Sequence, residues 1–328
     1  MFSFWSKLKK PFFCLAPMAD VTDVAYRQII AKYSRHGEKG GGPDVFWTEF
    51  VSADGLCHEV GRKKLLKDLE YREVERPIVA QLFTANPETM REAAALAAKL
   101  GFDGIDINMG CPDRSVEKQG AGAALIKNQK QARAVIRGAI DGASGLPVSV
   151  KTRTGYNKRE LSTWIPELLK EDISALTIHA RTRKEMSDVP ARWEDVRTVV
   201  EMVRASGKNV LVIGNGDVKD LSDARVKAEF SGADGVMLGR AIFGNPWLFD
   251  ETRRESVHWK DRLDVLIEHA NLFEELLGGV KNFAVMRKHF KSYVCGWDGA
   301  KELREKLMTA SSAKETEEIV RRFLDSLI

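Results

Sequence analysis

Val210-Leu211-Val212-Ile213-Gly214-Asn215-Gly216-Asp217 is the most informative stretch of this sequence. Its uninterrupted run of apolar residues is typical of a parallel β-strand that is covered on both faces. A turn with two glycines follows at once, and residues 221–230 then show a helical pattern. The stretch therefore predicts a strand, a turn and a helix, the repeating unit of parallel α/β folds.

The same unit recurs on both sides of this stretch. Eight strands are predicted, at residues 13–18, 45–49, 78–83, 104–109, 148–153, 175–180, 210–214 and 235–239. Helices are predicted between them at residues 86–101, 129–141, 159–170, 193–205 and 221–230. Eight strand–helix units over about 250 residues are what a (β/α)8 TIM barrel requires. A doubly wound sheet is the competing fold, but no Gly-x-Gly-x-x-Gly follows the first strand.

The strand pattern stops after Asn245-Pro246. Helices are predicted at residues 260–277 and 283–294, with two short ones after Gly299, and Ser312-Ala313-Lys314-Glu315 predicts a capping box for the last. We therefore expect two domains: an α/β barrel at residues 1–247 and a small all-helical domain at residues 248–328.

The composition excludes several classes of protein. The chain has 328 residues, of which 44% are hydrophobic and 30% charged, as in soluble globular proteins. No apolar run is long enough to cross a bilayer, and the first ten residues lack the features of a secretory signal, so we expect a short tail packed on the body. The four cysteines form no Cys-x-x-Cys pair, which argues against zinc or another metal and favours the cytoplasm. We expect a monomer.

Polar residues cluster at the carboxyl ends of the predicted strands, which is where the active site of a barrel lies. The strand ends that carry them are Pro17, Met18, Ala19 and Asp20; Glu49; Gln81; Asn108 with Cys111; Lys151 with Arg153; His179 with Arg181; Asn215, Gly216 and Asp217; and Gly239 with Arg240. Such a ring of polar residues is hard to explain by packing alone.

The turns after the last two strands predict a phosphate site. Asn215-Gly216-Asp217 and Gly239-Arg240 stand where many barrels bind phosphate through backbone N–H groups. Lys151, Arg153 and His179 would converge on the same pocket, and several cations together need an anionic ligand or developing negative charge.

Cys111 lies between Gly110 and Pro112, after the fourth strand. A thiol with an ordinary pKa of about 8.5 is mostly protonated at neutral pH and can act as an acid. It can equally act as a nucleophile if its pKa is lowered.

A basic stretch follows in the helical region. From Lys281 to Lys306 there are seven basic residues, among them Arg287 and Lys288, and three acidic ones. This suits a phosphate backbone, but a solvated helix with its aromatic residues turned inward explains it equally well.

These motifs resemble the tRNA-dihydrouridine synthases. The matching runs, in family order, are Ala16-Pro17-Met18-Ala19-Asp20-Val21-Thr22-Asp23, Ala80-Gln81-Leu82-Phe83, Asp106-Ile107-Asn108-Met109-Gly110-Cys111-Pro112, Val150-Lys151-Thr152-Arg153-Thr154-Gly155, His179-Ala180-Arg181-Thr182-Arg183, Asn215-Gly216-Asp217, Leu238-Gly239-Arg240 and Met286-Arg287-Lys288-His289.

The resemblance implies an FMN-dependent reduction of the C5=C6 bond of uridines in tRNA, with NADPH as reductant and Cys111 as the proton donor to C5. It implies cofactor contacts from one set of residues: Pro17, Met18, Ala19, Gln81, Lys151, His179, Asn215, Gly216, Asp217, Gly239 and Arg240. Substrate contacts are expected from a second set: Asn108, Arg153, Arg181, Arg287 and Lys288.

Two segments depart from the family pattern. Residues 184–193 replace a tyrosine and a glycine that many members carry after the His-Ala-Arg motif, and residues 37–43 extend the connection before the second strand. Two other functions remain open: a different FMN barrel such as a dihydroorotate dehydrogenase, and a tRNA-binding protein or chaperone that has lost catalysis. Asp113 stands where the dehydrogenase would have asparagine, and Cys111 argues against the second.

Overall fold

The computed structural model describes residues 3–253 and 257–326. Nine parallel β-strands in these ranges form one sheet. They are β1 (Phe12–Leu15), β2 (Phe46–Trp47), β3 (Val51–Ser52), β4 (Ile78–Phe83), β5 (Gly104–Met109), β6 (Val148–Arg153), β7 (Ala175–His179), β8 (Leu211–Asn215) and β9 (Gly235–Leu238).

The sheet closes on itself into a barrel. Its order is β1-β9-β8-β7-β6-β5-β4-β2, with β3 also paired to β4. Between the two ends, Leu15 N donates to Val45 O at 3.2 Å and Asp44 N donates to Phe13 O at 2.8 Å. The predicted (β/α)8 barrel is confirmed, with β2 and β3 as two halves of its second strand, and the doubly wound sheet is excluded.

Helices follow the strands and cover the barrel. They are α1 (Val24–Tyr33), α2 (Ala53–Cys57), α3 (Glu59–Leu65), α4 (Pro87–Lys99), α5 (Arg114–Glu117), α6 (Gln129–Gly142), α7 (Leu161–Leu168), α8 (Trp193–Ala205), α9 (Leu221–Ser231), α10 (Trp259–Leu277), α11 (Met286–Tyr293), α12 (Ala300–Leu307) and α13 (Ala313–Asp325). The sequence predictions for β4, β5, β6 and α8 are confirmed to the residue, and α1, α2, α3 and α5 were not predicted.

The first two predicted strands are longer than the observed ones. Strand β1 ends at Leu15 because the chain then turns: Thr22 Oγ1 accepts a hydrogen bond from Met18 N at 2.9 Å. The second strand is interrupted at Thr48, whose hydroxyl oxygen accepts the Gln81 N–H at 3.1 Å and donates to Glu49 O at 2.8 Å. A side chain thus takes the place of a backbone group in the ladder.

The N-terminal tail packs on the barrel, as predicted. Residues 4–7 form a 3-10 helix and Trp5 is buried. The Trp5 ring lies 5.8 Å from that of Phe12 and 6.1 Å from that of Trp47. Because β1 and β2 begin there, this tail covers the amino-terminal end of the barrel, opposite the expected active site.

The C-terminal segment is helical, as predicted, and α13 is longer than expected. Ser312 Oγ caps α13 by accepting a hydrogen bond from Glu315 N at 3.1 Å. The Glu315 carboxylate, however, accepts from Ser311 N at 2.8 Å, so the prediction of a reciprocal capping box is wrong.

Helix α10 packs against α1, and one hydrophobic core runs from the barrel helices into this C-terminal segment. The boundary at residue 247 stays a prediction. Among the described residues, no helix combines the length and apolar character needed to span a membrane.

Candidate active site

A cavity of about 240 Å³ lies at the carboxyl ends of the strands. Its lining includes nine of the residues expected to contact a cofactor: Pro17, Met18, Lys151, His179, Asn215, Gly216, Asp217, Gly239 and Arg240. Arg181, expected to contact substrate, also lines it. Four further lining residues were not predicted as site residues, although Ala16 stands in a family-matching run and Ser187 in the departing segment: Ala16, Ser187, Val218 and Met237.

The end of the cavity beside β8 and β9 has the form of an anion cradle. Gly216 has φ +128°, and a Cβ there would lie 2.8 Å from the Cβ of Ala191, so only glycine fits. Arg240 Nη2 donates to Asp217 Oδ1 at 2.6 Å, yet 65% of the Arg240 side chain is exposed. A guanidinium has five N–H donors, so the others remain able to bind an anion.

Lys151 lines the cavity. Its ammonium donates to Asn215 Oδ1 at 3.4 Å, while Asn215 Nδ2 donates to Met237 O at 2.8 Å and so fixes the amide. Burial and the nearby charge of Arg153 lower the pKa of Lys151 to about 8. The ammonium is therefore poised to respond to an anionic ligand.

His179 is held in its neutral form. Burial, together with the charges of Arg153 and Lys151, lowers the pKa of His179 well below its usual value. Its Nε2 lies 3.1 Å from Arg181 Nη1. Because a guanidinium only donates, Nε2 accepts and the ring proton lies on Nδ1.

Two expected cofactor residues lie outside the cavity lining. Ala19 is exposed on the turn after β1. Gln81 is fully buried: its Nε2 donates to Asp106 Oδ2 at 2.6 Å and its Oε1 accepts from Asn108 Nδ2 at 3.1 Å. In this structure the Gln81 amide orients the side chains of Asp106 and Asn108.

The Cys111 loop is fixed through its backbone. Asn108 Oδ1 accepts from Gly110 N at 3.1 Å and from Cys111 N at 2.9 Å, and Ala123 N donates to Cys111 O at 3.0 Å. A Cβ on Gly122 would lie 2.7 Å from Cys111 O, so this approach also requires glycine. The Asn108 amide is thus used to hold the loop, where the sequence led us to expect a substrate contact.

The thiol of Cys111 has apolar surroundings. It packs with Phe50 against the small buried cluster of Phe83, Val116 and Ala121. Burial raises the pKa of Cys111, so the thiol stays protonated at neutral pH. Of the two roles left open by the sequence, this geometry favours the acid over the nucleophile.

Arg153 and Arg181 are both buried and bonded within the protein. Arg153 Nε donates to Gly110 O at 2.8 Å, and its Nη1 donates to Thr182 O at 3.1 Å. Arg181 Nε donates to Val189 O at 2.5 Å, and its Nη2 pairs with Asp217. Both guanidinium groups hold the loop after β7, and their expected contacts with a substrate stay a prediction.

Helix α11 presents its basic residues to solvent beside the barrel mouth. Arg287 and Lys288 are exposed, whereas Phe290 and Tyr293 are buried. Lys288 Nζ lies 3.3 Å from Asp20 Oδ2, on the turn after β1. The aromatic residues do turn inward, and the basic face that they leave outside lies near the cavity.

Comparisons with known proteins agree with these features. The family model described as dihydrouridine synthase (Dus) matches residues 14–328. A Staphylococcus aureus (strain COL) protein named "Probable tRNA-dihydrouridine synthase" is 41% identical over 98% of this chain and 95% of its own length. A Bacillus subtilis (strain 168) protein named "Probable tRNA-dihydrouridine synthase 2" is 39% identical over 99% of both chains. With the barrel and the Cys111 loop in place, the chain belongs to the dihydrouridine synthase family.

Proposed function

We propose that this protein reduces the C5=C6 bond of uridines in tRNA to give 5,6-dihydrouridine, with FMN as cofactor and NADPH as reductant. The observation that carries the proposal is the protonated Cys111 thiol, held at the barrel mouth of a dihydrouridine synthase family member. We place the reaction in the cytoplasm and propose that the protein acts as a monomer.

The cavity residues fit a flavin mononucleotide. The Gly216 cradle and the exposed guanidinium of Arg240 suit a single terminal phosphate. Strands β8 and β9 lie across the barrel from β5, which precedes Cys111, and Lys151 and His179 lie on the strands between them. A cofactor with its phosphate at β8 and β9 would therefore extend past Lys151 towards Cys111. When bound, FMN supplies hydride for C6 of the uracil.

The protein's own residues supply the proton and the setting for its transfer. Cys111 holds a proton for C5, because its raised pKa keeps the thiol protonated at neutral pH. Asn108 and Arg153 fix the loop that carries it. The ammonium of Lys151 offers positive charge for the electron density that builds up on the pyrimidine or the flavin. Phe50 and Phe83, with ring centroids 5.7 Å apart, form an apolar wall beside the thiol.

The test separates the two half-reactions of the Cys111→Ala variant. Reduction of the bound flavin by NADPH should keep its normal rate, because Cys111 does not line the cavity. Reoxidation of the flavin by tRNA should slow by about 10²–10⁴-fold, the usual contribution of general acid catalysis. Stopped-flow absorbance of the flavin follows both steps, and Cys111→Ser, a far weaker acid, should restore little.

The outcomes distinguish the candidates. An unchanged tRNA step in Cys111→Ala would remove Cys111 from the mechanism, and equal slowing of both steps would mean damage to the flavin site. A purified protein without flavin would favour the tRNA-binding protein or chaperone. Flavin reduction without any response to tRNA would favour another FMN oxidoreductase.

A further inference from the structure

The loop after β7 is joined to the Cys111 loop by an ion pair from Arg183, the last residue of the family-matching run before the departing segment at residues 184–193. Arg183 Nε lies 2.9 Å and 3.0 Å from the two carboxylate oxygens of Glu117, and its Nη2 also contacts this carboxylate. Glu117 ends α5, the helix that begins directly after Cys111-Pro112-Asp113. Only 25% of the Arg183 side chain and 11% of the Glu117 side chain are exposed. This shielded, forked geometry is the strong form of a carboxylate–guanidinium contact.

Helix α5 is too short to fix its own orientation, which depends on contacts such as this ion pair and the burial of Val116. It has 4 residues, far fewer than an isolated helix needs to be stable in water. Its backbone is tied to the Cys111 loop, because Glu117 N donates to Asp113 O at 2.9 Å. A shift of Glu117 would therefore be passed to the segment that carries the thiol.

Arg183 is itself held in place by the loop after β6. Its backbone N–H donates to Gly155 O at 2.8 Å, and its guanidinium lies 5.3 Å from the centre of the Tyr156 ring. The Lys127 ammonium lies 4.3 Å from the same ring centre. Lys127 ends the 3-10 helix in which Ala123 binds Cys111 O. The Tyr156 ring is thus contacted both by Arg183 and by Lys127, which follows the Cys111 loop in the sequence.

We propose that Glu117 and Arg183 are positioning residues, which hold the Cys111 thiol in the position from which it can protonate C5 of the uracil. The inference rests on the proposed function of Cys111 and gives a role to the ion pair between the two loops. Neither residue exchanges a proton with the substrate. A misplacement of about 1 Å costs up to about 10²-fold in rate, so loss of the pair should slow the tRNA step by about 10–100-fold.

The test uses the flavin-loaded protein and the variants Arg183→Gln, Glu117→Gln and their combination. Each should slow flavin reoxidation by tRNA, leave flavin reduction by NADPH and the affinity for tRNA at wild-type values, and leave the thermal midpoint close to wild type. The double variant should be no slower than the slower single variant, because both changes break one contact. Arg183→Lys, which keeps the charge but not the fork, should restore part of the rate.

Arg133→Gln is the matched control. Arg133 pairs with Glu171 on the outside of the barrel with nearly the same exposure, 27% and 8%, and touches neither loop. Its tRNA step should equal that of the wild type. A general loss of stability would slow both half-reactions in all of these variants and would overturn the proposal.

The competing role for Arg183 is a direct contact with a tRNA phosphate. In that case Arg183→Gln would weaken tRNA binding, while Glu117→Gln would keep the wild-type rate, and the positioning role would be wrong. Failure of the proposed function looks different, because Cys111→Ala would then leave the tRNA step unchanged. A slow Cys111→Ala variant beside wild-type rates in Arg183→Gln and Glu117→Gln would overturn this inference alone.

Discussion

Burial acts on Cys111 and Lys151 in the same physical sense but with different chemical results. In both cases it favours the neutral form, so the pKa of the thiol rises and that of the ammonium falls to about 8. For Cys111 this keeps an acid protonated. For Lys151, burial lowers the pKa so far that the ammonium loses its positive charge near pH 8, close to neutral pH.

Flavin binding should therefore depend on the protonation of Lys151. An anionic ligand prefers the charged ammonium, so its affinity should be highest below about pH 8 and fall as the pH rises through that value. Equilibrium binding of FMN to the flavin-free protein, between about pH 7 and pH 9.5, measures this. Lys151→Met should bind more weakly throughout and lose the change near pH 8. The same pH profile in that variant would assign the titration to another group.

The sequence located these side chains but not all of their partners. Lys151 and His179 were expected at strand ends facing a pocket, and both line the cavity. Asn108 and Arg153 were expected to contact substrate; the structure shows hydrogen bonds of both within the protein, and the substrate contact stays a prediction. A strand-end position follows from hydrophobic patterning, whereas the carbonyl groups that meet Arg153 come from Gly110 and Thr182, distant in the sequence and brought together only by folding.

At the scale of elements, α11 is the candidate for the second tRNA contact. Its exposed Arg287, Lys288 and Lys291 lie on one short helix, and Lys288 reaches the turn after β1. The sequence left open whether these basic residues bind phosphate or belong to a solvated helix whose aromatic residues turn inward. It could not show that the exposed face lies beside the barrel mouth, because that depends on how α11 packs against α10.

Neutralising Arg287, Lys288 and Lys291 to glutamine should weaken tRNA binding and make it less sensitive to salt. Each lost phosphate contact removes about 0.7–0.9 from the slope of log affinity against log salt, so the slope should fall by about 2–3 units. The matched control neutralises Lys7, Lys9 and Lys10, three exposed residues at the opposite end of the barrel. Filter binding at several salt concentrations measures both. Equal slopes in the two triple variants would make α11 an ordinary solvated helix.

The errors in the predicted elements also have local causes. The second strand was read as continuous because its residues are mostly apolar, but the Thr48 hydroxyl interrupts the ladder. Helix α1 was missed although Asp23, which accepts a hydrogen bond from Tyr26 N at 3.0 Å, is a recognisable N-cap. Long buried strands such as β4 to β6 were predicted correctly, because tertiary contacts and local pattern agree there.

At the scale of the whole molecule, the barrel and the C-terminal helices share one core and a buried ion-pair network. Lys281 Nζ lies 2.6 Å from Glu49 Oε2 and 2.9 Å from Asp68 Oδ1. Lys281 follows α10, so these ion pairs join the C-terminal helical segment to the barrel. The pattern of apolar residues in the sequence shows where the strands end. It does not show whether two segments pack into the same hydrophobic core. The sequence therefore predicted the helical segment and could not establish an independent domain.

Lys281→Met should destabilise the fold more than an exposed pair does. It leaves the buried Glu49 carboxylate with an unpaired charge, which typically costs about 3–5 kcal/mol of unfolding free energy. Lys32→Met is the control, because Lys32 also joins the barrel to α10, through Glu268, but is 59% exposed; it should cost less than about 1 kcal/mol. Urea unfolding at one flavin concentration compares them. Similar losses in both variants would contradict the role of this network.

We propose that one protein carries reducing equivalents from NADPH through a flavin to uridine in tRNA. The direct measurement starts from the purified wild-type protein without oxygen and adds NADPH, then tRNA that lacks dihydrouridine. We predict that the flavin is FMN, that NADPH bleaches it, and that tRNA restores its absorbance while uridine in the tRNA becomes dihydrouridine, as detected by mass spectrometry. A flavin that stays reduced in the presence of tRNA, with no dihydrouridine formed, would show that the protein does not have this activity.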